Sequence, residues 1–250
     1  MWQVKEIAVL DNGCGMDPIL QQRALRFGDG EHHNDSSGMG KFGLGLPQAS
    51  ISQAKRVDVW AWQNGINSAK HTYIDLTDSE WMANGNILPA DDKQIPKTWI
   101  EQSGKTVGKS GTLVVWSVLD KLHWRKASSI YAHSEFLVGR MYRNWLTSHN
   151  KGKSDATIRL VSFDIDEAED RDTWVFSAND PLYLLPKSAG MKSSTKRKIL
   201  FEPWGEPIVK TYQITDDKGE ERVENVEIKF SLAPKELREP HSTGEAGSLD

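Results

Sequence analysis

Along the chain, apolar positions shift between short continuous runs, helical spacing and two-residue alternation, and each change of period marks an element. Ile7, Ala8, Val9 and Leu10 form a run of the length of one buried strand. Ile19, Leu20, Ala24, Leu25 and Phe27 recur at helical spacing behind Asp17-Pro18, and Gly28 can end that helix. A second helix is predicted over 44–54, with Leu46, Ala49, Ile51 and Ala54 apolar. Pro47 is tolerated only near a helix start, so it pins that start to the glycines ahead of it. Strands are predicted over 55–63 and 70–76, joined by Asn64-Gly65, a favoured hairpin turn. On the first, Val57, Val59 and Ala61 share one face, and Asp58, Trp60 and Trp62 share the other. Gly111 to Val118 reads as a further strand.

Residues 77–110 carry Pro, Gly, Asn and Asp without a clear period and read as an insertion or long loop. Helical spacing returns over 128–148, with Ile130, Phe136, Leu137, Met141, Trp145 and Leu146. The remainder is mostly strand. Residues 156–165 alternate, and 208–215 and 223–232 flank Asp216-Asp-Lys-Gly219, a hairpin signal. The pattern as a whole is that of an α+β protein.

Composition narrows the class. The 250 residues are 38% hydrophobic and 26% charged, too apolar for a disordered chain. The net charge of −4 gives no global field toward nucleic acid or membrane. Cys14 is the single cysteine, so no internal disulfide forms. No apolar run is long enough to span a bilayer and no signal peptide is evident, which places the expected location in the cytoplasm.

The candidate chemistry lies in two glycine-rich stretches. In Asp11-Asn-Gly-Cys-Gly-Met16, a carboxylate ends the first strand and Gly13 and Gly15 let the backbone approach a flat ring. A buried carboxylate needs donors, and the exocyclic amine of adenine is one that guanine lacks at that position. The alternative is a plain Asp-Asn-Gly turn between two elements. In Gly38-Met-Gly-Lys-Phe-Gly-Leu-Gly-Leu46, glycines open the second helix, where backbone N–H groups suit a phosphate and Lys41 adds a cation. The spacing is neither a Walker loop nor a dinucleotide fingerprint. Residues 29–37 between the two stretches form a polar loop. Its adjacent His32 and His33 lack the Cys or carboxylate framework of a metal site. The basic cluster Lys192 to Lys198 reads as a solvated loop, with phosphate contact the alternative.

These two stretches, in this order, resemble the second and third motifs of the GHKL ATPases, the superfamily of DNA gyrase, the large heat-shock chaperones, sensor histidine kinases and MutL. The wording around Asp11 and Ala24-Leu-Arg-Phe-Gly28 looks closest to the MORC-like branch. The resemblance implies a Bergerat-type sandwich, with helices on one face of a mixed or antiparallel sheet, over residues 1–125. It implies a partial transducer-like domain over 126–250. It implies an ATP or ADP site at Asp11, Gly13, Gly15, Met16, Gly38, Gly40, Lys41, Phe42, Gly43, Leu44, Gly45 and Leu46, with an ATP lid over 29–37. Thr112 corresponds to the fourth motif's threonine, which helps hold adenine, often through water. Because helices cover one side of such a sheet, the tryptophan face would either be core or meet a partner.

The catalytic glutamate and the magnesium-binding asparagine of the superfamily sit on a helix upstream of the aspartate motif. Only ten residues precede Asp11, so the general base is expected upstream of Met1, with no metal ligand within this chain. The chain therefore reads as the middle of a longer protein. In that protein the resemblance implies ATP hydrolysis with Mg2+, a homodimer that closes with nucleotide state, and a client protein or nucleic acid as further partner. A non-hydrolysing nucleotide-dependent switch or scaffold is the first alternative and a sensor kinase the second.

Overall fold

Five antiparallel strands form one sheet: β1 (Ile7–Asp11), β2 (Ala54–Trp62), β3 (Lys70–Asp75), β4 (Asp91–Asp92) and β5 (Gly111–Leu119), in the order β1-β5-β2-β3-β4. The computed structural model describes residues 3–29, 43–103, 107–146, 156–164, 170–185, 188, 201–215 and 219–234. The chain divides into two compact units, Met1–Ser129 with Ser162–Asp172, and Ile130–Val161 with Thr173–Asp250.

The alternation read from β2 sets the two faces of the sheet. Val57 and Val59 join Leu25, Ile74 and Val114 in one apolar cluster. Met16, Leu46 and Ile51 pack on it from the segment after β1 and from the second helix. This is the face covered by α1 (Pro18–Ala24) and α2 (Gly45–Ile51). Trp60 and Trp62 lie on the other face, with Ala69, Ile95, Leu113 and Val115. They are covered by the chain itself: Trp99 and Ile100 of α4 (Lys97–Ser103) pack against that cluster, as does Val107. The tryptophan face is therefore core, with Trp60 and Trp62 4% and 1% exposed.

Residues 77–110 are more than an insertion. They contain α3 (Ser79–Asn84), β4 and α4, and α4 seals the second face of the sheet. The two helices expected on one face, α1 and α2, lie there, and the short α4 packs against the other. The signal was weak because α4 is seven residues long and presents only two apolar side chains, Trp99 and Ile100, to the core.

Helix starts follow the sequence closely. Asp17 Oδ1 accepts the Ile19 and Leu20 N–H groups at 2.9 Å each, with Pro18 at the first helical position. Helix ends fall short of expectation. α1 stops at Ala24, before Gly28 (φ 75°), and α2 stops at Ile51 because β2 begins at Ala54. The β2–β3 connection is also longer than a two-residue turn. A single 3-10 turn, Ile66–Ser68, follows Gly65 before Lys70 pairs with Ala61.

In the second unit, the helical stretch is α5 (Ala127–Met141), which begins in the first unit, followed by α6 (Arg143–Leu146). The paired strands β6 (Arg159–Phe163) and β7 (Asp170–Val175) each fall partly in one unit and partly in the other. Within the second unit, Arg140 Nε donates to Oδ1 of the buried Asn179 and the Asn179 N–H donates to Gly139 O at 3.0 Å. β8 (Glu202–Pro203), β9 (Ile208–Thr215), β10 (Glu221–Ile228) and β11 (Ser231–Leu232) form a long hairpin, in which β9 pairs with β10 and β8 with β11. The strand pair expected to flank this turn is present as β9 and β10, with Gly219 at φ 81°, and residues 216–218 lie outside the described residues. The Lys192–Lys198 cluster and the tail from 241 lie outside the described residues.

Candidate functional site

The end of β1 and the start of β5 are bound in register, so Asp11 stands directly opposite Thr112, and Ala61 follows on β2. Directly opposed residues of an antiparallel pair share a face. Asp11 and Thr112 therefore lie on the face that carries α1 and α2. The Gly13 N–H donates to Asp11 Oδ1 at 2.8 Å, which fixes the carboxylate at the strand end. No described residue donates to its other oxygen. Asp11 is exposed and Thr112 is half-buried.

Two glycines make this corner possible. Gly15 is buried at φ 66°, and a Cβ there would lie 2.1 Å from Trp62 O. At Gly111, a Cβ would lie 2.4 Å from Asp11 O and 2.6 Å from Cζ2 of Trp62. Trp62 thus forms the floor beneath the Asp11 loop, and its Nε1 donates to Gly108 O at 3.2 Å. Gln63, which sequence reasoning missed, adds a further tie: its Nε2 donates to Cys14 O at 3.4 Å. An isolated Gln after a strand carries no signal of such a role.

Met16 and Leu46, named from separate motifs, pack on the same cluster around Leu25, Val57 and Val114. That shared contact brings the first glycine stretch to the second. The Gly28 N–H also donates to Gly43 O at 3.3 Å, so the two ends of the intervening segment meet. α2 begins at Gly45, its N-cap Leu44 supplies no side-chain cap, and Ser50 Oγ accepts from Trp116 Nε1 at 2.9 Å, tying the helix to β5. A Cβ on Gly45 would meet nothing within 4 Å. Of the second stretch, Gly43, Leu44, Gly45 and Leu46 are placed here. Gly38, Gly40, Lys41 and Phe42, like His32 and His33, lie outside the described residues.

The structure also places a buried Gln21 that sequence reading passed over. Its Nε2 donates to Val59 O at 2.8 Å and to Lys70 O at 2.9 Å, clamping α1 onto the sheet behind the site. An amide on the inward face of a helix was the available signal.

The opposite face of the sheet carries a separate ionic network. Arg56 bridges Asp58 and Asp75 at 2.8 and 2.6 Å, and His71 Nε2 lies 2.8 Å from Asp58 Oδ1. Burial alone would raise the Asp58 carboxyl, but hydrogen bonds from His71 and Arg56 and the guanidinium charge hold it down at about 2. Glu6 lies on this face, in a cleft of about 400 Å³ lined with Asp58 and Trp60. Burial and the nearby Asp58 push its carboxyl upward. A second cleft, of about 640 Å³, is lined by residues of β3 and the 88–93 segment. Neither cleft is lined by Asp11, Gly43 or Thr112. Glu6, which directly precedes β1, is thus on the wrong face to act beside Asp11.

Residues 2–106 match the family of histidine kinase-, DNA gyrase B- and HSP90-like ATPases. Over that stretch the chain is similar to the GHKL superfamily. The GHKL match gives the domain an ATP-binding, ATPase-type function in general terms, with an α+β fold. It contains both glycine stretches and ends before β5, so Thr112 rests on the sheet register alone. No curated protein matches the chain. Among the described residues, no helix is long and apolar enough to cross a membrane.

Proposed function

We propose that this GHKL domain holds the adenine of ATP or ADP at Asp11 and the phosphates along the stretch from Gly38 to Leu46. In this reading the free Asp11 oxygen accepts the exocyclic amine, and Thr112 supports the base from across the ladder, through water. Gly13, Gly15 and Met16 shape the base side, and Gly40, Lys41, Phe42, Gly43, Leu44 and Gly45 the phosphate side. The observation that carries the reading is the Asp11–Thr112 register pair, whose carboxylate keeps one oxygen without a described donor.

In a full-length parent the nucleotide cycle then ends in hydrolysis coupled to dimer closure and domain motion, in which residues 126–250 act as a transducer-like part. Mg2+, when bound with ATP, neutralises phosphate charge. This chain contributes the base pocket and the backbone donors of the phosphate loop. The alternative is a nucleotide-dependent switch without turnover, which the position of Glu6 favours for the described residues.

Displacement of a fluorescent ADP analogue tests the base assignment. ATP and ADP compete, and GTP competes at least about tenfold more weakly, because guanine offers no amine to Asp11. Equal competition by GTP removes Asp11 from base recognition.

A further inference from the structure

The hairpin of the second unit mixes apolar and charged side chains on both faces, and every residue of β9 and β10 is exposed. On one face Ile208, Tyr212, Ile214, Val226 and Ile228, which are 40% to 51% exposed, stand among Lys210, Arg222 and Glu224. A two-stranded ribbon of this kind is marginal in water without a further strand or a packing partner.

The two outer edges differ. β10 reads Glu-Arg-Val-Glu-Asn-Val-Glu-Ile and carries Glu221, Arg222, Glu224 and Glu227, charges of the sort that discourage edge pairing. β9 reads Ile-Val-Lys-Thr-Tyr-Gln-Ile-Thr: eight residues rich in β-branched and aromatic side chains, with one charge and no proline. The described residues pair β9 only with β10.

The β9 sequence is also complementary to itself. An antiparallel pair related by a two-fold axis at Thr211 sets Thr211 opposite Thr211. Lys210 then stands opposite Tyr212, Ile208 opposite Ile214, and Val209 opposite Gln213. Thr–Thr, aliphatic–aliphatic and cation–aromatic pairs are each favourable across strands. The pairing turns two marginal two-stranded ribbons into one four-stranded sheet.

We propose that the β9 edge is a pairing surface for a second copy of this chain, centred on Thr211. The contact is independent of nucleotide and of the site at Asp11. The strongly acidic character of β10 leaves β9 as the pairing edge.

Sedimentation of the full 250-residue chain over a concentration series, without nucleotide, tests this. The wild-type chain associates reversibly to a dimer. Thr211→Lys and Thr211→Glu each place like charges directly across the axis and weaken the dimer about fivefold or more. An equimolar mixture of the two restores association through the opposite charges. Glu221→Lys, on the far edge, leaves the dimer unchanged. Circular dichroism confirms that each variant is folded, which is expected because Thr211 is exposed and donates only to Asn225 Oδ1 at 2.8 Å. A wild-type chain that stays monomeric, or a dimer that Thr211→Lys leaves intact, overturns the proposal. So does a mixture that associates no better than either variant alone.

Discussion

Asp11 and Thr112 face each other across the β1–β5 ladder, although 101 positions separate them in sequence (112 − 11). The register makes them neighbours on the face of α1 and α2, and Gly111 makes the register possible. A side chain at position 111 would strike both Asp11 O and the Trp62 ring. The two residues are thus juxtaposed by backbone pairing, and the Gly13 N–H then fixes the carboxylate.

Gly15 is the most sensitive position of this corner. Its φ of 66° and the 2.1 Å approach of a Cβ to Trp62 O act together. Gly15→Ala is expected to destabilise the domain by about 2–4 kcal/mol, from left-handed strain and a forced backbone shift. Thermal unfolding checks this; an unchanged midpoint would show that the loop moves freely away from β2.

Gly45 behaves in the opposite way. Its Cβ would stand in open space at a helix start, so Gly45→Ala leaves stability unchanged or raises it by up to about 1 kcal/mol. If the phosphates lie against this backbone, the same change lowers ADP affinity by about tenfold, equivalent to roughly 1.4 kcal/mol, while adenosine affinity holds. Gly43, at φ 60°, confounds the experiment with strain, so Gly43→Val is the weaker test. Equal losses for ADP and adenosine in Gly45→Ala would make the loop structural.

Much of this architecture is legible in the sequence because the informative residues act locally. Asp17-Pro18 starts a helix through its own side chain and ring, and the β2 alternation sorts Val57 from Trp60 without reference to any partner. The Asp11 and Gly45 positions were readable from the glycines around them. What escaped depends on distant contacts. α4 is recognisable only through the Trp60–Trp62 face it seals, and Gln21 only through the two strand carbonyls it bridges. The β2–β3 connection departs from a two-residue turn, and its Gly65 N–H donates to Lys109 O, a contact no local pattern signals.

The ionic network on the far face makes stability depend on acid. The Asp58 carboxyl is held at about 2, below its ordinary 3.8, so its stabilising effect is complete above about pH 4. It is lost as pH falls from about 4 through about 2. Asp75, where Thr77 and Arg56 outweigh burial, shifts in the same direction. Thermal midpoints of the wild type should fall across this window. Asp58→Asn should melt lower at pH 5 and show a shallower fall. A parallel fall in both proteins would assign the acid sensitivity elsewhere.

Turnover is a separate question from binding. Glu6 is on the Asp58 face, away from the nucleotide reading, and burial favours its neutral form. Glu6→Gln should therefore leave ADP binding unchanged. The 250-residue chain should release no phosphate above background with Mg2+ and ATP. Magnesium-dependent turnover that Asp11→Asn abolishes would place a general base among residues not assigned one here.

The most direct test is isothermal titration of ADP into the wild-type domain and Asp11→Asn. The amide keeps the size of the carboxylate but replaces one acceptor oxygen with a donor, leaving the adenine amine without a proper partner. The account predicts a loss of about 1–3 kcal/mol or more in binding free energy, with thermal stability within about 0.5 kcal/mol of wild type. Unchanged ADP affinity in a folded Asp11→Asn domain would contradict it.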